Sequence, residues 1–369
     1  MPGSTPLVLK RDIKMVHFQQ IALSNGLFLG EILLASSRLN AQSLPMVLKI
    51  REQIEAWRHD SSLVAVLVRG EGERAFCAGG DIRALYHAMS QPEFLHEGDD
   101  FFRHEYDLCR ELHRYPKPVI AWGNGIVMGG GWGIFAASSH RIVTESSVLA
   151  MPEVSIGLFP DVGASFWLQQ LEGWLGRLLA LTGSRLNAAD ALAFGAAEFA
   201  LPSCSFADLI VTLQALPWSG VGERDAELAS GALAALSAAW PCPLPESVWL
   251  PLADEVAAIC EGDDLLAICG RIQNYQGDAA ALHQAAALQA AGSPTSIYLT
   301  WEMAQRAQAL SYDEVVEMEW IGARNCLRHG DFHEGVRAKL IDRDDQPQWS
   351  PKALTLVKVA DIESFFQSS

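Results

Sequence analysis

The sequence lacks any apolar run long enough to cross a bilayer, and its N-terminus does not show the charged-then-apolar order of a secretory signal. Its seven cysteines are scattered, with no C-x-x-C spacing. We therefore expect reduced thiols in the cytoplasm, and neither a disulfide framework nor a zinc scaffold. The histidines also lack metal-ligand spacing, so no metal site is predicted.

Positive charge is scarce: 27 Lys and Arg residues stand against 44 Asp and Glu residues, which gives a formal net charge of −17. This excess repels phosphate backbones and anionic lipid surfaces, so neither nucleic acid nor a membrane is expected as a partner. A ligand that carries phosphate groups would need a local basic patch. Half of the residues are hydrophobic and only 19% are charged, so the chain can bury a large core.

Two common catalytic signatures are missing. The chain has no G-x-S-x-G nucleophile elbow and no G-x-x-x-x-G-K phosphate loop, which argues against the commonest serine hydrolases and nucleotidases. The segment 131–136 fits the dinucleotide pattern G-x-G-x-x-A. However, other glycines already precede it, and no β-branched strand ending in an acid follows at the expected distance. Close helix packing is therefore the favoured interpretation of Gly133.

The stretch from Val119 to Gly163 concentrates the candidate chemistry. A short apolar run that predicts a buried strand is followed by the glycine run Gly129–Gly131 and then by an apolar segment that predicts a helix. Backbone N–H groups at the start of a helix, free of side chains, can stabilise a developing negative charge. Two carboxylates follow, Glu153 and Asp161, each directly after a proline. An anion cradle followed by two acids predicts acyl chemistry.

Strand-like and helix-like segments alternate through the first half of the chain. The segments 16–20 and 27–33 flank Asn25-Gly26, a strong hairpin turn signal. A helix is predicted from Ser43 to about Trp57 because a capping residue and an early proline precede apolar positions at helical spacing. The β-branched run at 63–68 predicts a buried strand that leads into a second glycine loop. This alternation indicates an α/β fold.

Beyond residue 204 the character becomes helical. Residues 205–290 are rich in Ala and Leu, with a proline-rich linker or turn at 240–245. Ser293-Pro294 predicts a cap followed by proline at the first helical position. Ser311 to Glu314 has the spacing of a capping box, and Asp331 to Glu334 is a looser version of it.

Glu105 lies on an apolar helix face, because Phe101, Phe102, Leu108 and Cys109 occupy the positions three and four residues away. A buried acid needs a partner or a raised pKa, so Glu105 is either paired in a core or lines a pocket. Glu319 shows a similar pattern, and there a structural role or a subunit contact is favoured.

These motifs together resemble the crotonase (enoyl-CoA hydratase/isomerase) superfamily, and more closely its 3-hydroxyisobutyryl-CoA hydrolase branch. The resemblance is carried by AFCAGGDIR at 75–83, MGGGWG at 128–133 and MPEVSIGLFPDVG at 151–163. It extends to SPTS at 293–296 and to HGDFHEGVRAKLIDRDDQPQW at 329–349. It is weakest between residues 205 and 290.

The resemblance implies a crotonase-like spiral of strand-strand-helix turns, followed by a helical C-terminal region. The corresponding division of the chain has four parts. They are a loose tail at 1–14, the spiral core at 15–204, a helical insertion or linker at 205–292 and a C-terminal helical region at 293–369. Relatives of this family commonly self-associate, which leaves a homo-oligomer open.

The resemblance also implies roles for single residues. The backbone N–H groups of Gly80 and Gly130 would form the oxyanion hole, and Glu153 and Asp161 would be catalytic. Glu105, Gly130, Glu153 and Asp161 would bind the substrate. True hydratases of the superfamily carry a second glutamate two residues after the glycine run, where this chain has Gly133. With one of the two hydratase acids missing, hydration lacks its second acid/base group.

The predicted function is therefore hydrolysis of a short branched β-hydroxyacyl-CoA, 3-hydroxyisobutyryl-CoA, in valine breakdown, with no cofactor beyond the coenzyme A of the substrate. Glu153 would be nucleophile or general base, and the sequence leaves both open. The runner-up is an enoyl-CoA hydratase or isomerase that uses Glu153 alone. A third interpretation is a non-catalytic acyl-CoA-binding protein, against which two intact carboxylates count.

Overall fold

The structure is a computed structural model that describes residues 15–367. The predicted tail at 1–14 lies outside these residues. The described chain forms ten strands, which are β1 (Val16–Ala22), β2 (Phe28–Leu34), β3 (Leu63–Gly70), β4 (Ala75–Cys77), β5 (Val119–Gly123), β6 (Ile126–Met128), β7 (His140–Val143), β8 (Val148–Ala150), β9 (Arg185–Asn187) and β10 (Phe199–Ala200).

Helices alternate with these strands and then dominate the second half of the described chain. They are α1 (Leu44–His59), α2 (Ile82–Ser90), α3 (Leu95–His113), α4 (Gly130–Ala137), α5 (Ala164–Trp167), α6 (Leu175–Thr182), α7 (Ala188–Ala193), α8 (Phe206–Ala215), α9 (Gly222–Ala239), α10 (Ala253–Cys260), α11 (Leu265–Gln273), α12 (Ala280–Ala291), α13 (Pro294–Ala307), α14 (Tyr312–Cys326), α15 (Phe332–Val336) and α16 (Val359–Ser364). None of the helices in the described range is both long and apolar enough to span a membrane.

The strands form two sheets. The larger has the order β1-β2-β3-β5-β7-β10, in which β1 and β2 are antiparallel and the remaining neighbours are parallel. The smaller has the order β4-β6-β8-β9. The pairs β3–β4, β5–β6 and β7–β8 each give one strand to each sheet before the chain turns into helices. This arrangement confirms the predicted α/β spiral of strand-strand-helix turns.

The central strand β3 is buried on both faces, as its continuous apolar run predicted. Val66 and Val68 lie in the main core, whereas Ala65 and Leu67 face a second cluster. Helices α8 and α9 cover that second face with Leu209, Leu213 and Leu233, among other residues. The first helices of the region 205–292 thus seal the outer face of the large sheet, while its proposed boundaries stay a prediction.

Several predicted turns and helix caps can be compared directly with the structure. The hairpin at Asn25-Gly26, the Ser293 cap and the Ser311 capping box are confirmed. The predicted capping box at Asp331 is wrong, because the Asp331 side chain accepts hydrogen bonds from Ser293 and Ser350 and none from α15. The interpretation of the glycine loops omitted β4, β6 and β8, since three-residue strands are too short to show an alternating pattern.

Candidate active site

The two glycine loops meet in space. Gln42 fixes the first loop, because its N–H donates to Gly79 O at 2.8 Å and its carbonyl accepts from the Asp81 N–H at 2.7 Å. Gly130 is the first residue of α4. A Cβ added to Gly79 would lie 3.6 Å from the Gly130 nitrogen. Within residues 15–367, neither the Gly80 N–H nor the Gly130 N–H donates to a protein acceptor.

Glycine is required here because carboxylates approach the backbone closely. A Cβ at position 130 would lie 2.0 Å from Glu105 Oε1, far inside van der Waals contact. Gly129 has φ +52°, a conformation that glycine adopts without steric cost, and a Cβ there would lie 2.9 Å from Glu153 Oε1. The second glycine run therefore lies against two acids that come from different elements, Glu105 at Gly130 and Glu153 at Gly129.

Three carboxylates are buried around the glycine loops. Glu105 lies on α3, Glu153 opens the short 3₁₀ turn Glu153–Ile156 after β8, and Asp161 precedes α5. Their exposed fractions are 2%, 6% and 4%. Glu105 Oε1 and Glu153 Oε2 have no hydrogen-bond partner among the described residues. Asp161 Oδ2 accepts a hydrogen bond from the Tyr106 hydroxyl at 2.5 Å.

Burial sets the protonation behaviour of this cluster. It raises the pKa of Glu153 well above the ordinary glutamate value, and the charges of Asp161 and Glu105 raise it further. Burial also raises the pKa of Asp161, to about 6, although the hydrogen bond from Tyr106 opposes the shift. The pKa of Glu105 is raised well above its usual range, first by burial and then by the charge of Asp161. Burial therefore favours the protonated form of all three acids, and shifts of this kind are typical of acid/base sites.

Position 133 is closed to a longer side chain. A Cβ on Gly133 would lie 2.6 Å from Val162 Cβ and 3.1 Å from Cys109 Sγ. The favoured interpretation of Gly133 as a close-packing residue agrees with this geometry. The place where the resemblance sets the second hydratase glutamate is thus occupied by Val162, which follows Asp161 directly.

Glu319 is fully buried on α14 and contacts the loop that carries Asp161. Its Oε2 accepts from the Gly163 N–H at 2.5 Å, and its Oε1 accepts from the Ser165 N–H at 2.9 Å. Burial raises its pKa to about 8, although both N–H donors oppose the shift. The sequence favours a structural role or a subunit contact for Glu319, and these hydrogen bonds support the structural role.

Two neighbours of the site were missed from the sequence. Tyr106 follows Glu105 directly and is 1% exposed, so its place on the same buried helix face was a readable signal. Gln42 gave no such signal, because only its bridge to Gly80 brings it to the site. Its side chain is fully buried, with no partner for either polar atom in the described chain. No cluster of three or more potential metal ligands occurs between residues 15 and 367.

Comparisons with known proteins bear on the whole fold. A family model described as enoyl-CoA hydratase/isomerase matches residues 29–366. The chain is 38% identical over 337 residues to the mitochondrial 3-hydroxyisobutyryl-CoA hydrolase of Danio rerio. This match covers 89% of this chain and 84% of that protein. Among solved structures, an enoyl-CoA hydratase from Rhodobacter sphaeroides superposes with a TM-score of 0.82 at 30% identity, covering 95% and 97% of the two chains.

A second solved structure carries a different activity in its name. A carnitinyl-CoA dehydratase from Mycobacterium thermoresistibile superposes with a TM-score of 0.81 at 32% identity, covering 95% of this chain and 96% of that one. Likeness of fold therefore extends to structures named for two different reactions, so the site residues have to distinguish between reactions.

Proposed function

We propose that this chain, which belongs to the enoyl-CoA hydratase/isomerase family and to its 3-hydroxyisobutyryl-CoA hydrolase branch, hydrolyses the thioester of 3-hydroxyisobutyryl-CoA. The observation that carries the proposal is the composition of the buried site. Glu153 lies beside Gly129 of the second glycine run, and Asp161 is buried nearby. Val162 packs against Gly133, the position of the second acid in hydratases. The products are 3-hydroxyisobutyrate and free CoA, and this hydrolysis is a step of valine breakdown.

The thioester carbonyl oxygen would accept hydrogen bonds from the N–H groups of Gly80 and Gly130. Attack on the carbonyl carbon moves negative charge onto this oxygen, and preorganised donors in a dry site stabilise that charge more than water would. The N-terminus of α4 adds the positive end of its dipole. These donors are fixed before substrate binds, because Gln42 and α4 hold the two loops.

Glu153 would act on the carbonyl carbon by one of two routes. As a general base it removes a proton from water, and the resulting hydroxide adds to the carbon before the C–S bond breaks. As a nucleophile it forms a mixed anhydride with release of the CoA thiolate, and water then opens the anhydride. In both routes the thiolate takes up a proton to become free CoA. Neither route needs a metal or a redox cofactor.

Asp161 would bind the β-hydroxyl of the acyl group. One of its oxygens already accepts from Tyr106, so the other remains available to a substrate hydroxyl. A buried site built to bond a hydroxyl rejects the analogue that lacks it, since its polar group is then left unpaired. Glu105, whose pKa is raised by burial, would contact the polar end of the acyl group beside Gly130.

Asp161→Asn is therefore expected to reduce discrimination between 3-hydroxyisobutyryl-CoA and isobutyryl-CoA. The wild type should favour the hydroxylated substrate in kcat/KM, and the variant should narrow that ratio by a factor on the order of 10 or more. Steady-state release of free thiol measures both values. An unchanged ratio, or a wild type indifferent to the hydroxyl, would remove Asp161 from its proposed role.

The runner-up is an enoyl-CoA hydratase or isomerase that uses Glu153 alone. Its hydratase form is disfavoured, because hydration needs a second acid and the site around Gly133 has no room for one. The non-catalytic interpretation is disfavoured by the three buried carboxylates at the oxyanion cradle. The cytoplasmic location stays a prediction, and relatives such as the Danio rerio protein are named mitochondrial. Self-association also stays a prediction.

A further inference from the structure

We propose that Glu319 is a positioning residue that holds Asp161 against the acyl group through the turn between them. The identity of that acyl group rests on the proposed function. Both hydrogen bonds of Glu319 go to this turn, to the N–H groups of residues two and four positions after Asp161. Glu319 is fully buried, so no water competes for either bond.

The turn needs an external anchor because its backbone is strained. Val162 has φ +54°, in the left-handed region that a β-branched residue rarely adopts. Gly163 follows with φ +88°, where glycine carries no penalty. A residue strained in this way persists only where its surroundings determine its conformation. Val162 is directly adjacent to Asp161, so relaxation of this strain would move the Asp161 carboxylate.

Two sets of contacts support the turn. The Val162 side chain packs against Gly133 of α4, which leaves no space for a Cβ there. Glu319 accepts hydrogen bonds from the N–H groups of Gly163 and Ser165. The packing fixes the side chain of Val162, and the carboxylate of Glu319 fixes the peptide groups that follow it. Loss of either would leave the strained conformation without support.

The helix that carries Glu319 is tied to the helix that carries Glu105 and Tyr106. Arg103 on α3 binds Glu317 on α14 at 2.7 and 3.0 Å, and its guanidinium also stacks over the Trp320 ring, 3.7 Å from the ring centre. Asp161 is therefore held in two ways. The Tyr106 hydroxyl on α3 binds its side chain, and Glu319 on α14 binds the turn that follows it. Glu319 thus sets the position of the specificity carboxylate relative to Glu105.

The test is Glu319→Gln, which keeps the shape but turns an NH₂ group toward one of the two backbone N–H donors. We expect kcat/KM for 3-hydroxyisobutyryl-CoA to fall on the order of 10-fold or more, and kcat/KM for isobutyryl-CoA to fall less. We then compare the ratio of kcat/KM for 3-hydroxyisobutyryl-CoA to kcat/KM for isobutyryl-CoA. In the double variant Glu319→Gln/Asp161→Asn this ratio should be no lower than in Asp161→Asn alone, because both changes act on the contact between Asp161 and the substrate hydroxyl. Glu319→Asp, one methylene shorter, gives the same comparison where Glu319→Gln does not fold.

Asp225 offers a matched control. It is fully buried and accepts from the N–H groups of Ser219 and Gly220, at 2.8 and 2.9 Å, in a turn outside the site. Asp225→Asn should lower the free energy of unfolding, because it leaves a buried group unsatisfied, and should leave the ratio of kcat/KM between the two substrates unchanged. If Glu319→Gln also lowers both substrates equally, or adds fully to Asp161→Asn, Glu319 is only a structural residue and the inference is overturned.

Failure of the proposed function would be recognised separately. Wild-type protein that releases no thiol from any acyl-CoA would refute thioester hydrolysis. The Glu319 inference is then decided by the equilibrium binding of 3-hydroxyisobutyryl-CoA and isobutyryl-CoA. A binding preference for the hydroxylated ligand that narrows in Glu319→Gln supports it, and a wild-type preference that the variant retains, or no preference in the wild type, overturns it.

Discussion

Glu153→Gln is expected to bind acyl-CoA with nearly wild-type affinity and to release thiol slower by a factor on the order of 10² or more. The substitution keeps the size of the side chain and leaves the Gly80 and Gly130 N–H groups in place. It removes the carboxylate that lies against Gly129 of the second glycine run, where a Cβ would be 2.9 Å from Glu153 Oε1. Binding by calorimetry and turnover by thiol release separate the two effects.

The pH dependence adds a second readout for Glu153. The group must lose its proton to act as base or nucleophile, and burial raises its pKa well above the ordinary glutamate value. Wild-type kcat/KM should therefore rise with pH above the usual glutamate range, and Glu153→Gln should lose this limb. Stability runs the other way: an acid whose pKa is raised by folding stabilises most at low pH, and this contribution is lost as pH rises through the folded-state value. Near-normal hydrolysis by Glu153→Gln would end the catalytic assignment.

Gly130→Ala is expected to lower kcat on the order of 10²–10³-fold, the usual scale for a lost oxyanion donor. Gly130 is helical and needs no special φ, so the backbone itself tolerates alanine. The new methyl group, however, would lie 2.0 Å from Glu105 Oε1 and 2.8 Å from Gln42 Nε2. The acid, the amide or the start of α4 must shift, and each shift disturbs the direction of the Gly130 N–H.

Gly231→Ala is the matched control for this substitution. Gly231 lies inside α9, and a Cβ there would meet no atom within 4 Å. Alanine at this position should be neutral or add about 0.5–1 kcal/mol to the free energy of unfolding. If Gly130→Ala kept full turnover at wild-type stability, the Gly130 N–H would not serve as an oxyanion donor.

The sequence was informative wherever a local pattern determines local structure. The continuous apolar run of β3, the Asn25-Gly26 turn and the Ser311 capping box each depend on neighbours along the chain, and each appears as predicted. The glycine loops were readable for the same reason, because consecutive glycines remove side chains from a segment whatever the remainder of the fold does. Glu105 could be placed on a buried face from helical periodicity alone.

Contacts between distant segments were not readable. Glu319 and Gly163 are 156 residues apart, and nothing near either of them indicates the other. Gln42 reaches the site only through its bridge to Gly80. The strain at Val162 follows from packing against Gly133 and from the Glu319 anchor, neither of which a single sequence displays. Residues that position a site, rather than form it, depend on such distant contacts.

The most direct test of the reaction class follows thiol release and enoyl absorbance together, with wild-type protein and two substrates in separate reactions. With 3-hydroxyisobutyryl-CoA, free thiol should accumulate in equal amount to the substrate consumed. With crotonyl-CoA, the enoyl absorbance should persist, because syn hydration needs a second acid at position 133, where this chain has Gly133 packed against Val162. Rapid loss of the enoyl absorbance without thiol release would contradict the hydrolase and identify a hydratase that works with Glu153 alone.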